Sequence, residues 1–108
     1  MPTTIVRFEV NAQIAWRVLR DRKTSNWIGV CDALKLTARG DTWEELTRSV
    51  EEIQGELFRD LFEEGALDRF LLDLGWTPLM PLPARDAAPS LRFDIPTKMI
   101  REMAHATA

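Results

Sequence analysis

With 108 residues, a formal net charge of −3 and a pI near 5.1, the chain has the size of one domain with a modest core. Its mild acidity argues against a general affinity for phosphate backbone. A single cysteine, Cys31, excludes an internal disulfide framework and a cysteine-rich metal site.

The first 40 residues read as strands. Ile5-Val6-Arg7-Phe8-Glu9-Val10 alternates in part. Next, Ile14, Trp16 and Val18 fall on one face, and Ala15, Arg17 and Leu19 on the other. A polar run, Asp21-Arg22-Lys23-Thr24-Ser25-Asn26, separates these from Trp27-Ile28-Gly29-Val30-Cys31, and residues 35–39 continue the pattern. Strands joined by short polar turns predict an antiparallel meander.

Gly40-Asp41-Thr42 is a turn that opens a helix. Glu45 follows Thr42 by three residues, the spacing of a capping box: the Thr hydroxyl accepts from the N3 amide, and the Glu side chain returns to the cap amide. Leu46, Val50, Ile53, Leu57 and Leu61 form an apolar stripe widened by Trp43, Phe58 and Phe62. Glu44, Glu45, Glu51, Glu52 and Glu56 lie mostly off it, as a solvated face. The helix fades near Glu63-Glu64-Gly65, and a shorter one covers 66–74, stopped by Gly75. Four prolines in 78–89 predict an extended connector. Leu91, Arg92, Phe93, Asp94 and Ile95 alternate as a late edge strand and a candidate oligomer strand, which Pro96 stops. Residues 97–106 are expected as a short helix or a tail.

The reading is therefore α+β: an antiparallel sheet of three to four strands, one long helix on a face, a short second helix and a late edge strand. It divides the chain into a core over 1–76, a proline-rich connector over 77–90, and a C-terminal strand with short helix or tail over 91–108.

Signals for chemistry are sparse. His105 stands alone near the C-terminus, short of the ligands a zinc site needs. Cys31 lies in a strand pattern and reads as a structural thiol. The five glycines are isolated and build no phosphate loop. Trp16, Trp27, Trp43 and Trp76 read as core or subunit interface. Arg17, Arg20, Arg22 and Lys23 form one basic cluster around a hairpin. No catalytic residue, cofactor or metal is expected. No apolar run approaches the ~20 residues that span a bilayer. MPTTIVRFEV lacks the make-up of a signal sequence, so a cytoplasmic protein is expected.

The order Trp27, Gly29, Cys31, Leu34, Leu36, Gly40, Asp41, Thr42, Glu44, Glu45, followed by the stripe Leu46, Val50, Ile53, Leu57, resembles the HicB-like antitoxin family over residues 12–62. The segment Leu67-Asp68-Arg69-Phe70-Leu71-Leu72-Asp73-Leu74-Gly75-Trp76 resembles the tail of short, stand-alone members. Many members place Pro where this chain has Asp32, and an acidic residue where it has Ala33. The resemblance implies a sheet with a helix across it, a non-catalytic protein-interaction role, self-association as a dimer or higher homo-oligomer, and a small RNA-cleaving HicA-like toxin as partner. Full members add a C-terminal DNA-binding module. The alternative reading is a DNA-binding transcriptional regulator using a truncated ribbon-helix-helix at 91–106, with Lys98 and Arg101 as phosphate contacts.

Overall fold

A computed structural model describes residues 3–9 and 14–102, and the chain is α+β. The described elements are β1 (Thr4–Glu9), β2 (Ile14–Arg20), β3 (Trp27–Cys31), β4 (Leu36–Gly40), α1 (Trp43–Glu64), α2 (Leu67–Asp73), β5 (Thr77–Pro78), a 3-10 helix (Arg85–Ser90), β6 (Leu91–Asp94) and β7 (Thr97–Arg101).

Strands β2, β3 and β4 form the expected antiparallel meander. Two features differ from a single antiparallel sheet. First, β1 joins a separate three-stranded sheet of order β5-β1-β6, in which β1 and β6 run parallel. Second, residues 97–101 are neither helix nor tail: they form β7, which adds parallel to β2 and makes the order β4-β3-β2-β7. Both sheets are therefore mixed. Parallel partners come from distant parts of a chain, so local periodicity gives no sign of them. The connector is also partly regular, because residues 85–90 wind into the 3-10 helix.

Contacts group the chain into two compact units that interleave along the sequence rather than following the serial division into 1–76, 77–90 and 91–108. One is built from Gln54–Pro96 with β1, the other from Ile14–Ile53 with β7.

In the first unit the core is aromatic. Phe58 is fully buried, and its ring meets Phe8 at 5.6 Å, Phe93 at 5.9 Å, Phe70 at 6.1 Å and Trp76 at 6.2 Å, all edge-on. Edge-to-face pairs at these distances add to the burial of area. Gly65 ends α1 at φ +74°: its N–H donates to the Phe62 carbonyl and the Ala66 N–H to the Leu61 carbonyl, a Schellman closure. Gly75, at φ +79°, closes α2 the same way through Leu72 and Leu71. The last turn of α1 holds no basic residue of its own. Arg85 supplies one from the 3-10 helix, its Nε donating to the Glu63 carbonyl at 3.1 Å.

In the second unit the inner sheet face is Ile14, Trp16 and Val18 from β2, Trp27 and Cys31 from β3, and Ala38 from β4, all buried. Leu46 and Val50 of α1 are buried with them, and Ser49 Oγ donates to the Arg39 carbonyl of β4 at 3.0 Å. The most buried line of α1 is Leu46, Val50, Gln54, Phe58 and Phe62, a strict four-residue step. Ile53, Leu57 and Leu61, read as the stripe itself, flank that line half-buried.

Candidate interaction surface

The turn residues stand where the sequence placed them. Glu45 N–H donates to Thr42 Oγ1 at 3.1 Å, so Thr42 is the cap. The return contact differs by one residue. Glu45 Oε1 accepts from the Asp41 amide at 3.0 Å, not from the Thr42 amide. Gly40 is the last residue of β4, paired with Trp27.

Trp27 is covered from several directions within its unit. The Trp43 ring meets it edge-on at 5.2 Å. The guanidinium carbons of Arg101 and Arg20 lie 4.7 and 5.4 Å from the centre of its ring. Both are cation–π distances. Arg20 Nε also donates to the Ser25 carbonyl, which steadies the hairpin turn. Trp16, Trp27 and Trp76 are buried and Trp43 is 38% exposed.

Among the described residues, the other face of the same sheet carries no helix of its own unit. It carries Ala15, Arg17 and Leu19 on β2, Ile28 and Val30 on β3, Thr37 and Arg39 on β4, and Lys98 and Ile100 on β7, from strand alternation and register. Leu19, Ile28 and Val30 are half-buried, and Ile100 is 41% exposed. Arg17 sits among them. Its fork grips Asp32 twice, Nε to Oδ2 at 3.1 Å and Nη2 to Oδ1 at 3.2 Å, and Nη1 reaches Glu102 at 3.4 Å. The hydrogen bonds to Asp32, with its charge, raise the Arg17 pKa further above its ordinary value. Asp32, where the resembled family often has Pro, thus anchors the central arginine of this face.

Sequence reasoning missed the Arg17, Asp32 and Glu102 group. Its members are 15 and 85 residues apart. The available signal was the alternation that set Arg17 beside Ala15 and Leu19.

Other expected residues are dispersed. Leu91, Arg92, Phe93 and Asp94 form β6, which pairs with β1 of its own chain and sits at the edge of that sheet; Ile95 follows it, half-buried. Lys98 and Arg101 are both exposed, but the pleat sends them to opposite faces of β7, and Arg101 is engaged by Trp27. With residues 97–101 in a strand, the ribbon-helix-helix read at 91–106 lacks its helix over that stretch. Arg22 and Lys23 are exposed in the hairpin turn. Glu44, Glu45, Glu51, Glu52 and Glu56 are exposed along α1. Cys31 is fully buried, and burial pushes its thiol pKa up. His105 lies outside the described residues. Among the described residues, no group of three or more His, Cys, Asp or Glu could hold a metal ion, and no helix is long and apolar enough to cross a membrane.

No protein-family model, curated protein or solved structure matches the chain. The surface chemistry therefore carries the functional reading.

Proposed function

We propose that the chain is a non-catalytic protein-interaction module of the HicB-like antitoxin kind, whose outer sheet face docks a small RNA-cleaving toxin. The observation that carries this reading is the composition of that face. Leu19, Ile28, Val30 and Ile100 surround an arginine held in place by Asp32, with further charges at the margin. Apolar centres with a rigid arginine and a polar rim are typical of protein interfaces. A guanidinium already ordered by a carboxylate loses less freedom on binding than a free one. The net charge of −3 adds long-range attraction for a basic partner. The meander, turn and capped helix are the order the family resemblance rests on.

The test is co-expression with a small basic ribonuclease encoded beside this chain. Growth arrested by the ribonuclease is restored by the wild-type chain. It is not restored by Arg17→Glu combined with Ile28→Lys, a variant whose circular dichroism must match wild type. Failure of the wild-type chain to restore growth overturns the toxin-binding role. Cleavage of structured or single-stranded RNA by the purified chain alone, with or without magnesium or manganese, overturns the non-catalytic one.

A further inference from the structure

We infer that β7 is a self-association strand: two copies of this chain pair antiparallel along it, with the two-fold axis at Ile100, and join their four-stranded sheets into one. β7 is the edge of its sheet, and among the described residues no strand lies along its other side. The hydrogen-bond parity is set by one contact. Glu102 N–H donates to the Val18 carbonyl at 2.7 Å. In a strand, the amide and carbonyl of alternate residues point the same way. Residues 98, 100 and 102 therefore turn their backbone groups toward β2, and Met99 and Arg101 turn theirs outward.

An antiparallel partner centred on Ile100 uses those outward groups. Met99 faces the partner's Arg101 as a hydrogen-bonded pair, and Arg101 faces the partner's Met99. Between them Ile100 meets the partner's Ile100 as a non-hydrogen-bonded pair, the kind whose side chains approach most closely. Lys98 stands opposite the partner's Glu102, and Glu102 opposite the partner's Lys98. The register thus covers the 41% exposed Ile100 with its own copy and forms two opposite-charge pairs on the outer face. Moving the axis to Met99 keeps the hydrogen-bond parity but sets Lys98 against an isoleucine, so Lys98 gains no opposite charge and Glu102 keeps only Arg17 of its own chain. Charge complementarity therefore selects a second copy, in one register. Edge strands are usually blunted by charge; here the charges at 98 and 102 are opposite in sign and two residues either side of the axis. The pairing places the outer faces of two copies side by side, and it stands whether or not a toxin docks there.

Light scattering coupled to size exclusion, on the full chain at micromolar concentration, tests the proposal. Wild type runs as a dimer. Lys98→Glu alone sets two glutamates against two glutamates, and Glu102→Lys alone sets lysine against lysine. Each weakens the dimer by about tenfold or more. Mixing the two variants restores both opposite-charge pairs, so a heterodimer forms with near wild-type affinity. A monomeric wild type, or a mixture no tighter than its components, overturns the inference. Register is read by cysteine scanning. In a non-hydrogen-bonded pair the Cα atoms lie about 4.5 Å apart, within disulfide range. Ile100→Cys therefore crosslinks under oxidation and Met99→Cys does not, while buried Cys31 does not compete. Crosslinking at 99 in place of 100 refutes the register, and crosslinking at neither refutes the pairing.

Discussion

Gly40→Ala is expected to be among the most damaging single-methyl changes in this protein. Gly40 ends β4 beside the first turn of α1, and an added Cβ would stand 2.8 Å from Glu45 C and from Leu46 Cα, with the Leu46 backbone nitrogen nearer still. Ordinary contact begins at 3.4 Å, so clearing the nearest of these atoms takes an opening of about 1 Å. The obstacles are backbone atoms, which no rotamer change can move aside. Overpacking of this kind costs about 1–3 kcal/mol, and disturbing the Thr42 cap adds about 1 kcal/mol. The stiffer unfolded chain returns about 0.4–1 kcal/mol. The net is a loss of about 2–3 kcal/mol, or a fall in melting temperature of roughly 10–20 °C for a chain of this size. Gly55→Ala is the matched comparison. It lies within α1, and its added Cβ meets nothing within 4 Å. Removing a mid-helix glycine there should stabilise by about 0.5–1 kcal/mol. Thermal and urea melts of both variants decide the matter. If Gly40→Ala melts at or above wild type, the close approach of β4 to the helix start is wrong.

Three further outcomes are expected. Thr42→Ala removes the acceptor for the Glu45 amide and should cost about 1 kcal/mol in a denaturant melt, whereas an unmoved midpoint would mean that the helix is capped elsewhere. Cys31 should resist a thiol-specific aromatic disulfide reagent in the native protein and react on unfolding, because it is fully buried and its thiol pKa is raised by burial; prompt native labelling would contradict that placement. Asp21 accepts from the Lys23 amide at 2.9 Å, and this bond, ahead of its other contacts, holds its pKa below the ordinary 3.8. A depressed carboxyl pKa contributes stability that is present above 3.8 and is lost as pH falls through the folded value, so the 21–26 hairpin should loosen only in strong acid. A carboxyl titration by NMR with its midpoint at or above 3.8 would remove the basis for this.

Several features are legible in the sequence by itself. Trp16 and Val18 lie on the buried face of β2 and Arg17 on the exposed one, because the pleat repeats every two residues and needs no knowledge of the partner strand. The cap at Thr42 and the stops at Gly65 and Gly75 are legible because orphan amides, orphan carbonyls and left-handed backbone are satisfied within a few residues. The α1 face is legible to within one residue. The four-residue line through Gln54, Phe58 and Phe62 displaces Ile53, Leu57 and Leu61 because the rings of Phe8, Phe93 and Trp76 converge on Phe58, and that convergence comes from remote parts of the chain.

What only the tertiary structure decided depends on parallel pairing and distant partners. Residues 97–101 alternate too weakly to declare a strand alone, and β7 exists because β2 offers it an edge. β1 leaves the meander because β6 pairs with it across most of the chain. Arg17 becomes the fixed centre of a surface because Asp32 and Glu102 are brought to it by two different strand pairings. Local sequence carries the energy of caps, turns and pleats, whereas the choice among partners for a strand edge or a guanidinium is settled by long-range packing, which no window of the sequence contains.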